Sequence, residues 1–408
     1  MRNPAGGTSL TKRLKALQPL NVAGIMSGTS GDGIDIAIVH IAPKARGRLS
    51  ISLLAHGATP FSKSLRAAVM AAQDAQQTST AELARLHWRL GLAYADALSN
   101  MLKSTREKID LVGCHGQTIY HQSALKSYAG ARFSCTWQIG EMAPLARAAG
   151  VPVVSNFRPA DMIVGGQGAP LVPLLDEVLY RDAKRTRILL NIGGIANLTI
   201  VPPYGAGAPV IAFDTGPGNM VMDALMQQLF AKPYDRGGRT AARGAVHGSV
   251  VNKLRLAAFF SLPPPRSAGR EQFGARYAAS LLHACRQRGA TDFDGIATAT
   301  ALTAFTIADA IERFATLPDT QAGCDLIVAG GGAKNPVLLR QLEVLLAPRR
   351  IRLLTTESPE LGTPLPVEAK EAAAFALLAY MSLHGRPGNV PSATGAQLAA
   401  VLGQVTCA

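Results

Sequence analysis

The sequence predicts an α/β protein built from two related halves, and three observations carry that expectation. Its 408 residues are too many for one ordinary hydrophobic core. A unit of strand, glycine turn and strand occurs twice, first across LNVAGIM, SGTSGDG and IDIAIVHIA, then in RILLNIGGIANLTIV from Arg187 to Val201. Late in each half an apolar run enters a glycine-bearing turn: IDLVGCHGQT from Ile109 to Thr118, and CDLIVAGGGAKN from Cys324 to Asn335. The same signatures in the same order argue for internal duplication. Strand ends of this kind are where α/β domains hold ligands.

The first turn lies within GIMSGTSGDGID, residues 24–35, where Ser27, Thr29, Ser30 and Asp32 are interleaved with glycines. Without Cβ atoms in the way, such a turn can point N–H groups inward around a phosphate. It lacks the lysine of a Walker loop, and a β-branched run rather than a helix follows it, so it reads as a phosphate-binding hairpin. The alternative is a mobile surface turn.

In the second half, VIAFDTGPGN sets Asp214 at the end of an apolar strand and just before the helical-looking MVMDALMQQLF. A carboxylate there either does chemistry or satisfies the N–H groups of its own turn. The three successive glycines Gly330, Gly331 and Gly332 let a flat base or ribose lie against the backbone, or simply start a helix. PVLLRQLEVLL, led by Pro336, is that helix. The closest approach to a membrane span, AAAFALLAYMSL, is shorter than the roughly 18 apolar residues required.

With 48% hydrophobic and 17% charged residues, the chain can bury its cores. Lys and Arg number 41 against 27 acids, a formal charge of +14 that suits small anionic substrates. The basic residues are spread out without interleaved aromatics, so nucleic acid is not an expected partner. The five cysteines, Cys114, Cys135, Cys285, Cys324 and Cys407, form no C-x-x-C pair. A reducing compartment and no structural zinc follow. The basic N-terminus is a poor signal peptide, since Gln18, Pro19 and Asn21 break its apolar run. A cytoplasmic protein without a membrane partner is expected.

Eight segments then occur in one order: MSGTSGDGID, GCHGQTIYH, NFRPADMIVGGQGAPLVP, NIGGIANLT, FDTGPGNMVMDA, RSAGREQF, VAGGGAKNP and PGNVPSATGA. They span nearly everything from Gly24 to Ala396, and together they resemble the anhydro-N-acetylmuramic acid kinases of the actin, sugar kinase and Hsp70 superfamily. The resemblance implies two related actin-like, ribonuclease H-like domains flanking a nucleotide cleft. It implies ATP and Mg²⁺ as cofactors and 1,6-anhydro-N-acetylmuramic acid as substrate, opened by water and phosphorylated on O6 during cell-wall recycling. It leaves a homodimer open.

By the same resemblance Asp214 is the base. The ATP contacts are Gly28, Thr29, Ser30, Gly31, Asp32, Gly33, Ile34 and Asp35 in the first hairpin, Gly193 and Gly194 in the second, and Gly330, Gly331, Gly332 and Asn335. Asp32 is a partner for Mg²⁺, while Asp35 stands equally as a buried structural acid. His115, Gln117, Arg158, Asp161 and Glu371 are the sugar contacts, with Arg158 suited to the lactyl carboxylate. The chain departs from its relatives at Gly31, where leucine is frequent, and at Asn156, Pro159 and Ala160, where aspartate and arginines are frequent.

The expected organisation is a basic tail to residue 18, a first domain over 19–155, a second over 156–370, and a C-terminal helix and tail, 371–408, returning to the first. Two rival readings are another sugar or carboxylate kinase of the same fold, and an ATP-gated binding protein of the actin and Hsp70 type.

Overall fold

The computed structural model describes residues 17–408 apart from residues 30, 74, 76, 316–322, 357 and 363–364. Ser30 and the tail up to residue 16 thus lie outside the described residues. Two compact units are present, one formed by the chain up to residue 179 together with 365–408, the other by 180–364.

In the first unit, strands β1 (Leu20–Ser27), β2 (Gly33–Pro43), β3 (Leu49–Pro60), β4 (Leu111–Tyr128) and β6 (Val153–Ser155) form a sheet ordered β6-β4-β1-β2-β3. The first three are antiparallel neighbours, whereas β4 runs parallel to β1 and β6 parallel to β4. Strand β5 (Ala131–Ile139) folds back on β4, and Gln404–Thr406 adds an antiparallel edge beside β6.

In the second unit, β7 (Thr186–Ile192), β8 (Ile195–Val201), β9 (Ile211–Pro217), β10 (Cys324–Ala329) and β11 (Ile351–Thr355) are ordered β11-β10-β7-β8-β9. Here too the first three are antiparallel and the last two join in parallel. Both units therefore carry the ribonuclease H-like order, and the duplication read from the two hairpins extends to whole sheets.

One helix dominates each core. Lys370–Leu383 is buried from Ala372 to Tyr380 and packs against β1, β2 and β4. Its alanines let it approach the sheet, and two glycines complete the fit. A Cβ at Gly24 would stand 1.8 Å from the Ala372 carbonyl oxygen, and one at Gly113 would stand 2.1 Å from that of Phe375. Burying Phe375, Leu377 and Leu378 there contributes roughly 1.5–3 kcal/mol each. This is the apolar stretch that most resembles a membrane span, and it is a core helix. Among the described residues no helix is long and apolar enough to cross a membrane. In the second unit Asp292–Phe314 fills the same role, started by a capping box in which Thr291 and Asp294 exchange hydrogen bonds.

The unit boundaries correct those expected from the sequence. The chain leaves the first unit at residue 179 rather than near Ser155, and rejoins it at 365 rather than near 371. The cause is burial: Phe157, Leu171 and Leu175 belong to the core that includes Val22, Val39 and Phe375. Arg158 and Asp161 accordingly sit in the first unit, not the second.

Candidate active site

In the first unit the turn between β1 and β2 places Gly31 at φ +62, with its N–H donating to the Gly28 carbonyl at 3.1 Å. Glycine is the residue that takes this left-handed conformation without strain. Thr29 and Asp32 are exposed, and Asp32 Oδ1 accepts from Arg66 at 3.1 Å. Two neighbours have structural work. A Cβ at Gly33 would meet the Thr59 carbonyl oxygen at 2.5 Å, and Ile34 is a core side chain beneath the turn. At the turn, then, only the backbone of Ile34 is left for a ligand. Asp35 is half-buried, and burial raises its carboxyl, an effect reduced by His56 and reinforced by Glu368.

Beneath this turn the GCHGQT segment is tied to it. Gln117, fully buried, donates through Nε2 to the Gly28 carbonyl at 3.0 Å, and Ser27 Oγ donates to the Gly116 carbonyl at 3.1 Å. His115 Nε2 accepts from Arg158 Nε at 3.1 Å and Nη2 at 2.9 Å. That ring is neutral: burial, and then the Arg158 charge, hold it well below the usual histidine range. Arg158 Nη1 also donates to the Gly168 carbonyl at 2.6 Å, and burial lowers the guanidinium to about 10 against the opposing pull of Glu371 and Asp161. Glu371 opens the core helix with its surface accessible to solvent. Its carboxyl is nonetheless raised, first by the protein atoms crowding it and then by Asp35.

Asp161 departs from the role expected of it. It is fully buried, and both oxygens are engaged within the protein: Oδ2 accepts from Gly168 N–H at 2.8 Å, and Oδ1 from Asn389 Nδ2 and Thr394 Oγ1, each at 2.7 Å. It is a knot joining the GGQG loop to the PGNVPSATG segment, and a sugar could reach it only by breaking that knot. Asn156 has φ +55, a conformation that asparagine tolerates, and Pro159 occupies the first turn of Arg158–Ile163, where a missing N–H costs nothing. Pro159 and Ala160 line a surface groove with Phe133 and Ile163.

In the second unit the GG hairpin works through its carbonyls. Gly193 O accepts from Asn219 N–H at 2.8 Å, and Gly194 O from Gly218 N–H at 2.9 Å and Met220 N–H at 3.1 Å, which fixes the start of helix Met220–Phe230. Gly330 has φ +82, and its missing Cβ would lie 2.6 Å from Asn191 Oδ1. Gly332 is buried against Ile192, whereas Gly331 is exposed. Asn335 caps helix Pro336–Leu346, accepting from Val337 and Leu338 N–H at 3.1 and 3.2 Å.

A cavity of about 330 Å³ is lined by Gly331, Asn335, Asn219, Asp223, Tyr234 and Lys334, among others; Gly193, Gly194, Gly330 and Gly332 are not part of its lining. Burial pushes the Asp223 carboxyl up to about 6. Of the lining residues, only Gly331 and Asn335 are ATP contacts expected from the sequence; Asn219, Asp223 and Lys334 lie within the motifs without an assigned role. The acid inside the apolar run MVMDALM is a signal for Asp223, but nothing about Tyr234 in KPYDRGG marks it.

Asp214 sits where β9 loses register with β8. Asn197 pairs with Asp214 and Ala196 with Gly216, so Thr215 is an extra residue, and a bulge of this kind re-aims the side chains beside it. Asp214 Oδ2 accepts from Ala268 N–H at 2.7 Å. Burial raises the carboxyl to about 6, held down in part by that N–H and by Arg266. The hydrogen bond comes from the RSAG loop, not from the turn that follows Asp214.

Residues 20–408 match the family described as anhydro-N-acetylmuramic acid kinase. A protein of that name from Bacillus cereus strain 03BB102 is 40% identical over 389 residues, covering 94% of this chain and 98% of its own. The chain belongs to the anhydro-N-acetylmuramic acid kinase family. Another such kinase, from Bacillus thuringiensis strain Al Hakam, is also 40% identical with the same coverage. Membership makes this chain an ATP-using kinase and disfavours both rival readings. Among solved structures, component A of (R)-2-hydroxyglutaryl-CoA dehydratase from Acidaminococcus fermentans aligns with 15% identity and a TM-score of 0.39, over 89% of this chain and 99% of that one. A likeness that distant adds nothing to what the sheets of this kinase show directly.

Proposed function

We propose that this kinase opens 1,6-anhydro-N-acetylmuramic acid with water and phosphorylates it with ATP, Asp214 acting as the base. Water's oxygen bonds to the anomeric carbon as the C1–O6 bond breaks. Its proton passes to the Asp214 carboxylate, and O6 takes the γ-phosphoryl group of ATP, leaving ADP. The observation that carries this reading is the setting of Asp214: a half-buried carboxyl at a bulge in β9, held by one N–H and raised by burial to about 6, more basic than an ordinary aspartate. The second unit also contributes the 330 Å³ cavity for adenosine, with Asp223 a candidate for the ribose hydroxyls.

The first unit supplies the phosphate turn and Arg158, whose charge suits the lactyl carboxylate. His115 and Gln117 hold Arg158 and the turn in place. Asp32 fits Mg²⁺ in the manner of that ion, which commonly takes one or two carboxylates plus phosphate oxygens and water. It is exposed at the turn, and among the described residues its bond to Arg66 engages only Oδ1. The metal would neutralise charge on the β- and γ-phosphates. A cytoplasmic, peptidoglycan-recycling role accords with the need for ATP and with five free cysteines.

Incubation with ATP, Mg²⁺ and 1,6-anhydro-N-acetylmuramic acid, read by mass spectrometry, tests the reaction. The expected product gains both phosphate and water; a gain of phosphate alone overturns the hydrolytic step.

The GGG turn has its own test. Gly330→Ala puts a methyl group against Asn191 and the Ile192 carbonyl at positive φ, strain worth about 1–3 kcal/mol. Calorimetry should show ATP binding weakened at least several-fold with sugar binding retained. Unchanged ATP affinity would remove this turn from the nucleotide site.

A further inference from the structure

Arg266, which the RSAGREQF motif carries without an assigned role, is 6% exposed and directs its hydrogen bonds to main-chain carbonyls. Its Nε donates to the Asp214 carbonyl at 2.9 Å, while its own carbonyl accepts from Asp214 N–H at 3.0 Å. Its Nη1 donates to the carbonyls of Phe260 at 3.0 Å and Leu262 at 2.7 Å. The guanidinium stands 5.0–5.4 Å from the ring centres of Phe259, Phe213 and Phe314. Two residues further on is Ala268, whose N–H holds Asp214 Oδ2. Such an arginine is costly to bury, and here it joins strand β9 to the very loop that orients the carboxylate.

We propose that Arg266 is a positioning residue for the reaction: it clamps the Asp214 main chain to the 266–268 loop, so that Ala268 N–H holds the carboxylate in one orientation toward the attacking water. The inference rests on the reading of Asp214 as the base. The geometry is reciprocal, with one hydrogen bond in each direction between residues 214 and 266, so neither can move without the other. The clamp is also charged. Arg266 lowers the Asp214 carboxyl against the larger effect of burial. Around the guanidinium itself burial is the main influence, with Arg313 opposing its charge and Asp309 and Asp214 favouring it. Arg313 is bonded to the same Phe260 carbonyl, at 2.6 Å, and to Asp309.

The test is the pH dependence of kcat/KM in four proteins: wild type, Asp214→Asn, Arg266→Lys and Arg266→Met. Activity needs the ionised base, so the wild-type acid limb should fall near the pKa of Asp214. Removing the positive charge in Arg266→Met makes the carboxylate easier to protonate. The limb should move up by roughly half to one pH unit, and kcat should fall about tenfold, with KM for ATP and sugar little changed. Lysine keeps the charge but cannot bridge the carbonyls as a planar fork. Arg266→Lys should therefore leave the limb in place and still lose part of kcat.

A folded Arg266→Met enzyme with the wild-type limb would overturn the proposal, including the case where activity falls only in step with the folded fraction. Should that variant not fold, Arg266→Lys decides, and full wild-type kcat in it is the contrary result. Near-normal turnover in Asp214→Asn would instead remove the base assignment itself, whatever the arginine variants do.

Discussion

Asp214→Asn is expected to lower turnover by roughly 10²-fold or more while ATP and sugar still bind. Asparagine has the same shape and keeps an oxygen to accept from Ala268 N–H, so the bulge and the clamp to residue 266 survive. What disappears is the capacity to take a proton from water. Stability should not suffer. The folded carboxyl is raised to about 6 against an ordinary value of 3.8, so the folded state binds a proton more readily than the unfolded chain does. Stability linked to this group is then greatest at low pH and declines as pH rises through that interval. At neutral pH the ionised carboxylate is a burden on the fold, and the amide removes it. A variant with an unchanged or higher Tm, intact binding by calorimetry and lost turnover fits a catalytic base. Loss of both ligands together with activity would make Asp214 a structural anchor.

Asp161→Ala should destabilise the first unit by roughly 2–4 kcal/mol, because three donors in a water-free site lose their acceptor at once. Asp161→Asn should be nearly as damaging, since its amide NH₂ must face a donor on one side. Thermal or denaturant unfolding reads this directly. The sugar KM of whatever remains folded at low temperature should change little. A tenfold weaker sugar affinity with no fall in Tm would return Asp161 to the contact role that family resemblance implied.

These two aspartates show what sequence reading can and cannot see. Each lies in a motif of polar and glycine residues, and family resemblance assigns each to the site. For Asp214 the apolar strand before it, legible in sequence, sets its place at a strand end, but the groups that orient it, Ala268 N–H and Arg266, come from a loop more than fifty residues away. For Asp161 the deciding partners are Asn389 and Thr394, more than two hundred residues away along the chain. No local pattern shows that a carboxylate is already taken.

Local periodicity and turn chemistry were enough for the two hairpins, the strands Cys324–Ala329 and Thr186–Ile192, and the helix led by Pro336, because strand and helix patterns are written in adjacent residues. The repeated signatures were likewise enough for the duplication that the sheet orders share. Packing settled the rest. It drew 156–179 into the first unit through Phe157, Leu171 and Leu175, and assigned Gly24 and Gly113 to the approach of a helix that begins at Lys370. It also set Arg266 around the backbone of Asp214. Burial and hydrogen-bond satisfaction depend on which distant segments arrive at a point, and that information exists only once the chain has folded.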